Sequence, residues 1–153
     1  MTGENSRRLT IELVPSTSWF TNLRSILPAG EWDKIRRESY RAAGYVCEVC
    51  GGRGPNHPVE AHEIWEYDGV RHVQKLVGIV SLCPSCHEVK HIGLAQMRGN
   101  LERAVGHLAN VNGVSRREAN ALVTEAFDTW RERSEHRWTV DVSLVTDADF
   151  ESK

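Results

Sequence analysis

The chain lacks an excess of charge of either sign. Its 19 Lys+Arg stand against 21 Asp+Glu, a formal net charge of -2. That excludes a nucleic-acid binder working through bulk positive charge, so any phosphate contact has to come from a local basic surface. Long hydrophobic runs are missing too. The most apolar stretch, Leu76 to Cys83, is eight residues long, against the roughly 20 needed to span a bilayer, so no membrane partner is expected. Met1 to Thr10 is polar, with Arg7 and Arg8 and no apolar stretch behind them. It cannot act as the hydrophobic region of a secretory signal, and a cytoplasmic location is expected. There is no internal repeat or low-complexity segment, and 40% hydrophobic with 26% charged residues over 153 positions is the composition of a small globular protein.

Cysteine and histidine are what the sequence has in unusual pattern. Cys47-Glu48-Val49-Cys50 and Cys83-Pro84-Ser85-Cys86 are two Cys-x-x-Cys pairs with 32 residues between them. In a reducing compartment paired cysteines more often bind metal than oxidise. Two-residue spacing lets both thiolates of a knuckle reach one tetrahedral ion at about 2.3 Å, so the four together predict a structural zinc site. His87 and His91 lie four apart on the helix expected after Cys83, hence on one helical face, and His62 lies on a strand before it. A hairpin folded onto that helix would bring all three imidazoles to one point, as a divalent-metal site with positions left open for water and a phosphate oxygen. The plainer alternative has His87 joining the zinc knuckle and His91 in solvent.

The surrounding pattern supplies such a hairpin. A helix is expected from Glu31 to Ala43, ended by Gly44, then a tight loop over Cys47 to Pro58. Val59 to Tyr67 and His72 to Leu82 read as strands, with Asp68-Gly69 in a connection longer than two residues. Pro84 to His91 reads as a helix with proline at its first position. Beyond Gly93, Leu94, Met97, Leu101, Ala104, Val105 and Leu108 mark one helical face up to Asn112-Gly113. Ser115-Arg116-Arg117-Glu118 is a capping box opening another helix, Trp138 to Leu144 alternates as a short strand, and the acidic tail is expected to fray.

At this level the sequence resembles the HNH endonucleases of the type carrying a four-cysteine zinc knuckle. The resemblance rests on Cys47-x-x-Cys50, on Glu60-Ala61-His62-Glu63-Ile64, and on Leu82-Cys83-Pro84-Ser85-Cys86-His87 followed by His91, and it covers about residues 32–92. It implies an α+β protein with a small ββα-metal (His-Me finger) core over 31–93, an irregular N-terminal extension over 1–30, and helices over 94–153 packed on the core. It further implies a structural Zn2+, a second divalent ion (Mg2+, Mn2+, Ni2+ or Zn2+) between hairpin and helix, and hydrolysis of DNA phosphodiester bonds. His62 falls where the family has its first hairpin metal ligand, and His87 and His91 fall where the family's helix binds metal or contacts the scissile phosphate.

Two positions depart from the family. Glu63 stands where a histidine general base is usual, and Gly78 stands where an asparagine usually orients that base. Glutamate has a reference pKa near 4.3 and is a weaker base than histidine unless burial raises it. Three readings stay open: Glu63 is the base in a variant site, which needs a bulge or strand end at His62-Glu63; the register shifts, so that His62 is the base and Glu60 helps bind the ion; or the fold is kept as a zinc-stabilised module that binds nucleic acid or protein without turnover. Trp65 and Tyr67 share a face as core packing, or one of them stacks on a splayed base. Arg71, Lys75, Lys90, Arg98 and Arg103, with Arg36, Arg37 and Arg41, are candidate phosphate contacts. The C-terminal helices either complete the core or meet a partner.

Overall fold

A computed structural model describes residues 8–146, and the acidic tail lies outside the described residues. Period-two alternation gives two strands, β1 (Glu60–Asp68) and β2 (Val73–Leu82), paired antiparallel. Their connection is held by Asp68, whose Oδ1 accepts the N–H groups of Val70 (2.9 Å) and Arg71 (3.0 Å). A third strand, β3 (Thr139–Asp141), lies parallel to β2 in the order β1-β2-β3, which leaves β1 at the sheet edge. This strand is shorter than the alternation from Trp138 to Leu144 suggests. Asp141 Oδ1 accepts the Ser143 N–H at 2.9 Å and the chain from 143 turns helical, which ends the pairing.

Before the helical turn at 143, the described residues hold the helices α1 (Leu23–Ile26), α2 (Ala29–Ala42), α3 (Pro84–Lys90), α4 (Ile92–Met97), α5 (Leu101–Asn112) and α6 (Arg116–Arg133). Gly44 (φ 68°) stops α2 as expected, with the Tyr45 N–H reaching back to Tyr40 O at 2.9 Å. The Ser115–Glu118 capping box opens α6. The single apolar face expected from Leu94 to Leu108 is in fact two helices. Gly99 (φ 76°) takes a left-handed conformation after α4, and the Asn100 N–H bonds to Ala95 O at 2.8 Å. Met97 is thereby turned out to solvent instead of joining the stripe.

One apolar cluster unites Leu82 of β2, Val89 of α3, Ile92 and Ala95 of α4, Ala104, Val105 and Leu108 of α5, and Ala119 and Val123 of α6 with Cys47, Cys83 and Cys86. The helices after residue 94 thus supply core. The described part of segment 1–30, read from sequence as irregular with Trp19, Phe20, Leu23 and Ile26 to bury, also belongs to that core through Leu9, which is fully buried; Leu23 is buried too, whereas Trp19, Phe20 and Ile26 are exposed. Asn112 at the end of α5 clamps the segment. Its Oδ1 accepts the N–H groups of Arg8 (3.0 Å) and Leu9 (2.8 Å), and its Nδ2 donates to Leu9 O (2.8 Å). Further along, Trp130 Nε1 donates to Val14 O at 3.0 Å. Asn112→Ala strands a part-buried N–H and carbonyl of Leu9, at a cost of about 1–3 kcal/mol. Thermal melting should show it, at about 2–4 °C for each kcal/mol; an unchanged midpoint would show that the clamp contributes nothing.

Candidate metal centres

The two Cys-x-x-Cys turns come together. The first follows α2. Cys47 N–H bonds to Gly52 O (2.8 Å), Gly51 N–H bonds to Cys47 O (2.9 Å), and Gly51 is left-handed (φ 78°), which folds Cys47 and Cys50 onto one side. The second is the start of α3, where Cys83 is the N-cap and Pro84 opens the helix. Glu48 ties the two, its Oε2 accepting the Ser81 N–H at 2.6 Å. One sulfur from each of Cys47, Cys50, Cys83 and Cys86 lies within 4.8 Å of every other, close enough to hold a metal ion.

The donor set fits zinc. A tetrahedral ion with arms of about 2.3 Å has ligand-to-ligand edges of about 3.8 Å, and Cys50 Sγ lies 3.6 Å from Cys83 Sγ. Backbone N–H groups of Cys50, Gly52 and Cys86 point at sulfurs at 3.4–3.5 Å, as they do around thiolates. Burial and the neighbouring sulfurs raise the Cys83 and Cys86 thiols, while Cys47 is brought down to about 7, its backbone donors outweighing its burial. Four thiolates this close need a cation to balance them. His107 was not foreseen. It stands three residues after Ala104 on the apolar face of α5 and places Nε2 at 3.2 Å from Cys86 Sγ. A histidine on an otherwise apolar stripe was the available signal.

β1, α3 and the residue that caps α3 bring His62, His87 and His91 together, each offering a ring nitrogen within 4.8 Å of the others. The helix expected to run through His91 ends at Lys90, and His91 is its non-helical C-cap (φ -108°, ψ 52°) before α4. The ring centres are 5.3 Å (62–87), 5.2 Å (62–91) and 4.8 Å (87–91) apart, at interplanar angles of 73°, 71° and 69°. Three imidazoles bound at about 2.1 Å in tetrahedral directions would have ring centres about 5.2 Å apart, so the donor set fits a divalent ion. His87 Nε2 and His91 Nε2 face one another at 3.2 Å. Burial is the main cause that lowers His62 and that brings His91 to about 3, keeping both rings neutral, the form with a free lone pair.

Carboxylates frame this cluster. Glu60 Oε1 accepts from His87 Nδ1 at 2.7 Å, which leaves His87 Nε2 as the lone-pair nitrogen. Its other oxygen accepts from His57 Nε2 at 2.5 Å. Glu12, from the N-terminal segment, was not foreseen. Burial pushes its carboxyl up, but His62 and the Lys90 ammonium more than offset this, and its pKa falls to about 2. Glu63 alternates to the other side of β1, where Oε2 accepts the Leu23 N–H at the start of α1 (2.7 Å), and burial raises its pKa. The bulge in the hairpin lies between Ile64 and Trp65, beyond His62-Glu63, and Gly78 is the partner of Ile64. Because β1 is an edge, Glu63 and the three histidines still border one cavity of about 360 Å³, together with Trp19, Arg24, Trp32 and Trp65.

Several candidate phosphate contacts are engaged elsewhere. Lys90 is buried against Glu12, and Arg103 pairs with Glu88 at 2.7 Å. Arg24, missed in the sequence because it lies far from the metal motifs, borders the histidine cavity instead. Tyr67 packs edge-on against Trp138 with its ring under the Arg133 guanidinium at 4.1 Å, as interior packing. No helix among the described residues is long and apolar enough to cross a membrane. Comparison with family models, curated proteins and solved structures returns no match to the chain.

Proposed function

We propose that the chain is a metal-dependent DNA endonuclease of HNH type, with β1, β2 and α3 as its ββα-metal core and a structural zinc on the four cysteines. The observation that carries this reading is the convergence of His62, His87 and His91 from a hairpin and the helix that follows it. A divalent ion held there would polarise the scissile phosphate and stabilise the leaving oxygen. Imidazole donors favour Zn2+ or Ni2+ over Mg2+ and Mn2+ at this site.

The protein's own residues have separate tasks. Glu60 orients His87 through Nδ1. Glu63 accepts the proton of the attacking water as the new P–O bond forms, with its carboxylate fixed by the Leu23 N–H. The bond to the leaving oxygen breaks, and that oxygen takes a proton from solvent. Arg24 offers a guanidinium to the phosphate from the cavity wall. A second reading, a zinc-stabilised binding module without turnover, draws support from the engagement of Glu63 Oε2 with the backbone.

Metal analysis and plasmid cleavage separate the two. The nuclease reading expects two ions per chain and cleavage with at least one of Mg2+, Mn2+, Ni2+ and Zn2+. It also expects Glu63→Gln to lose about 10²–10⁴-fold in rate while keeping both ions. One ion per chain and intact plasmid across the panel would establish the binding module.

A further inference from the structure

We propose that Glu12 is a positioning residue for the histidine centre: its Oε1 accepts the Nε2–H of His62 and fixes which ring nitrogen is left for the ion. The inference rests on reading His62, His87 and His91 as a metal site. Its starting point is two orphaned atoms. His62 is 6% exposed, and its Nε2 is buried with no hydrogen-bond partner. Glu12 Oε1 is buried and unpartnered as well, and the two lie 3.5 Å apart. Buried polar atoms are rarely left unpaired, and a small closure would pair these two with each other.

The rest of the Glu12 carboxylate is already held for that task. Oε2 accepts from Lys90 Nζ at 2.6 Å and from Thr10 Oγ1 at 3.1 Å, and Lys90 Nζ also donates to Thr10 Oγ1 at 2.8 Å. Lys90 and Thr10 therefore hold one oxygen of Glu12 and leave the other aimed at His62. The arrangement parallels the other side of the cluster, where Glu60 takes the Nδ1 proton of His87. Carboxylates in this position set the tautomer and orientation of a ligating imidazole and raise its basicity. They differ in origin, since Glu60 belongs to β1 whereas Glu12 comes from the N-terminal segment. Asn112 of α5 and Trp130 of α6 hold that segment in place. The histidine centre is thereby completed by parts of the chain outside the hairpin and its helix.

The test uses the full chain with zinc on the cysteines, titrated with Ni2+ by calorimetry. Glu12→Leu, which leaves no acceptor for His62, should weaken Ni2+ binding by about 10–100-fold while zinc content at the cysteines stays the same. Because this change leaves Lys90 buried without its counter-charge, it is repeated in a Lys90→Met background, where no buried ammonium remains. The same loss of about 10–100-fold between Lys90→Met and Glu12→Leu/Lys90→Met supports the assignment, and it is a loss that a purely structural ion pair would not produce. Wild-type uptake of a second ion, with Glu12→Leu/Lys90→Met binding Ni2+ within about twofold of Lys90→Met, overturns the role of Glu12 alone. If wild type takes up no second ion, the histidine site itself falls and the role of Glu12 falls with it.

Discussion

Stripping the four-cysteine site with a strong chelator is expected to unfold the protein, with helical and aromatic circular-dichroism signals lost together. Cys47, Cys83 and Cys86 are members of the main apolar cluster, in company with Leu82, Val89 and Leu108. Their sulfurs bring the turn after α2 against the start of α3. Structural zinc sites in small peptides bind with apparent free energies of about 10–16 kcal/mol. A domain of this size has a total stability of only about 5–15 kcal/mol. The metal term is therefore as large as the whole margin, and losing it also leaves crowded thiols in the core. Cys86→Ser tests the same link without a chelator. Its sulfur is fully buried and contacts His107, so the variant should melt at least about 10 °C lower, equivalent to several kcal/mol. A chelated protein that kept its signals and its melting midpoint would show that the cysteines are not the staple of this fold.

His87→Ala should have the opposite profile, with activity abolished and stability kept. His87 lies on α3 one residue after Cys86, yet its ring points away from the sulfurs toward His62 and His91. Its side chain is partly exposed, and its partner Glu60 retains His57. Truncation therefore opens no large cavity in the apolar cluster. It removes one of three imidazole donors and, on the proposed nuclease reading, the stabilisation that an ion held there would give a charged transition state. Loss of a single preorganised donor of that kind costs about 10²–10³-fold in rate, and loss of a metal ligand should cost at least as much. Metal analysis should fall from two ions to one, with zinc retained and the melting midpoint within about 3 °C of wild type. Undiminished cleavage by His87→Ala would remove the histidine cluster from the mechanism.

The contrast between these two variants, one residue apart, shows what was legible. Two-residue spacing already places Cys83 and Cys86 where both can reach one ion, and four-residue spacing brings His91 back over His87 even though His91 is the cap of α3 and not part of it, because both are local geometry. The hairpin was equally readable, since alternation and Asp68-Gly69 are local signals. The break at Gly99 was not, because the apolar residues keep helical spacing across it and a single glycine is tolerated in many helices. Glu63 was read as facing the metal if the strand were bulged there. The bulge formed two residues later, and Glu63 instead caps the backbone at Leu23 while reaching the same cavity around the strand edge. Glu12, Arg24 and His107 carried no motif at all. Glu12 and His107 became visible through partners distant in sequence, and Arg24 through its place in the cavity wall.

The Cys-x-x-Cys pairs, the His87/His91 spacing, the turns that present them and the order of hairpin and helix are thus all readable from local signals along the chain. Which charges surround the two candidate sites depends instead on how remote segments pack. The tertiary structure placed Glu12 and Lys90 beside His62, spent Arg103 on Glu88, brought Arg24 to the cavity wall and ran the N-terminal segment along α5 and α6. The physical reason is one of range. A knuckle or a helical face is set by bonded geometry, whereas the partner of a buried charge is whatever side chain the packing of remote segments delivers within about 3 Å of it. The near-zero net charge of the chain excludes binding through bulk charge and leaves the local surface open, because pairing across the fold decides which cations remain for a phosphate.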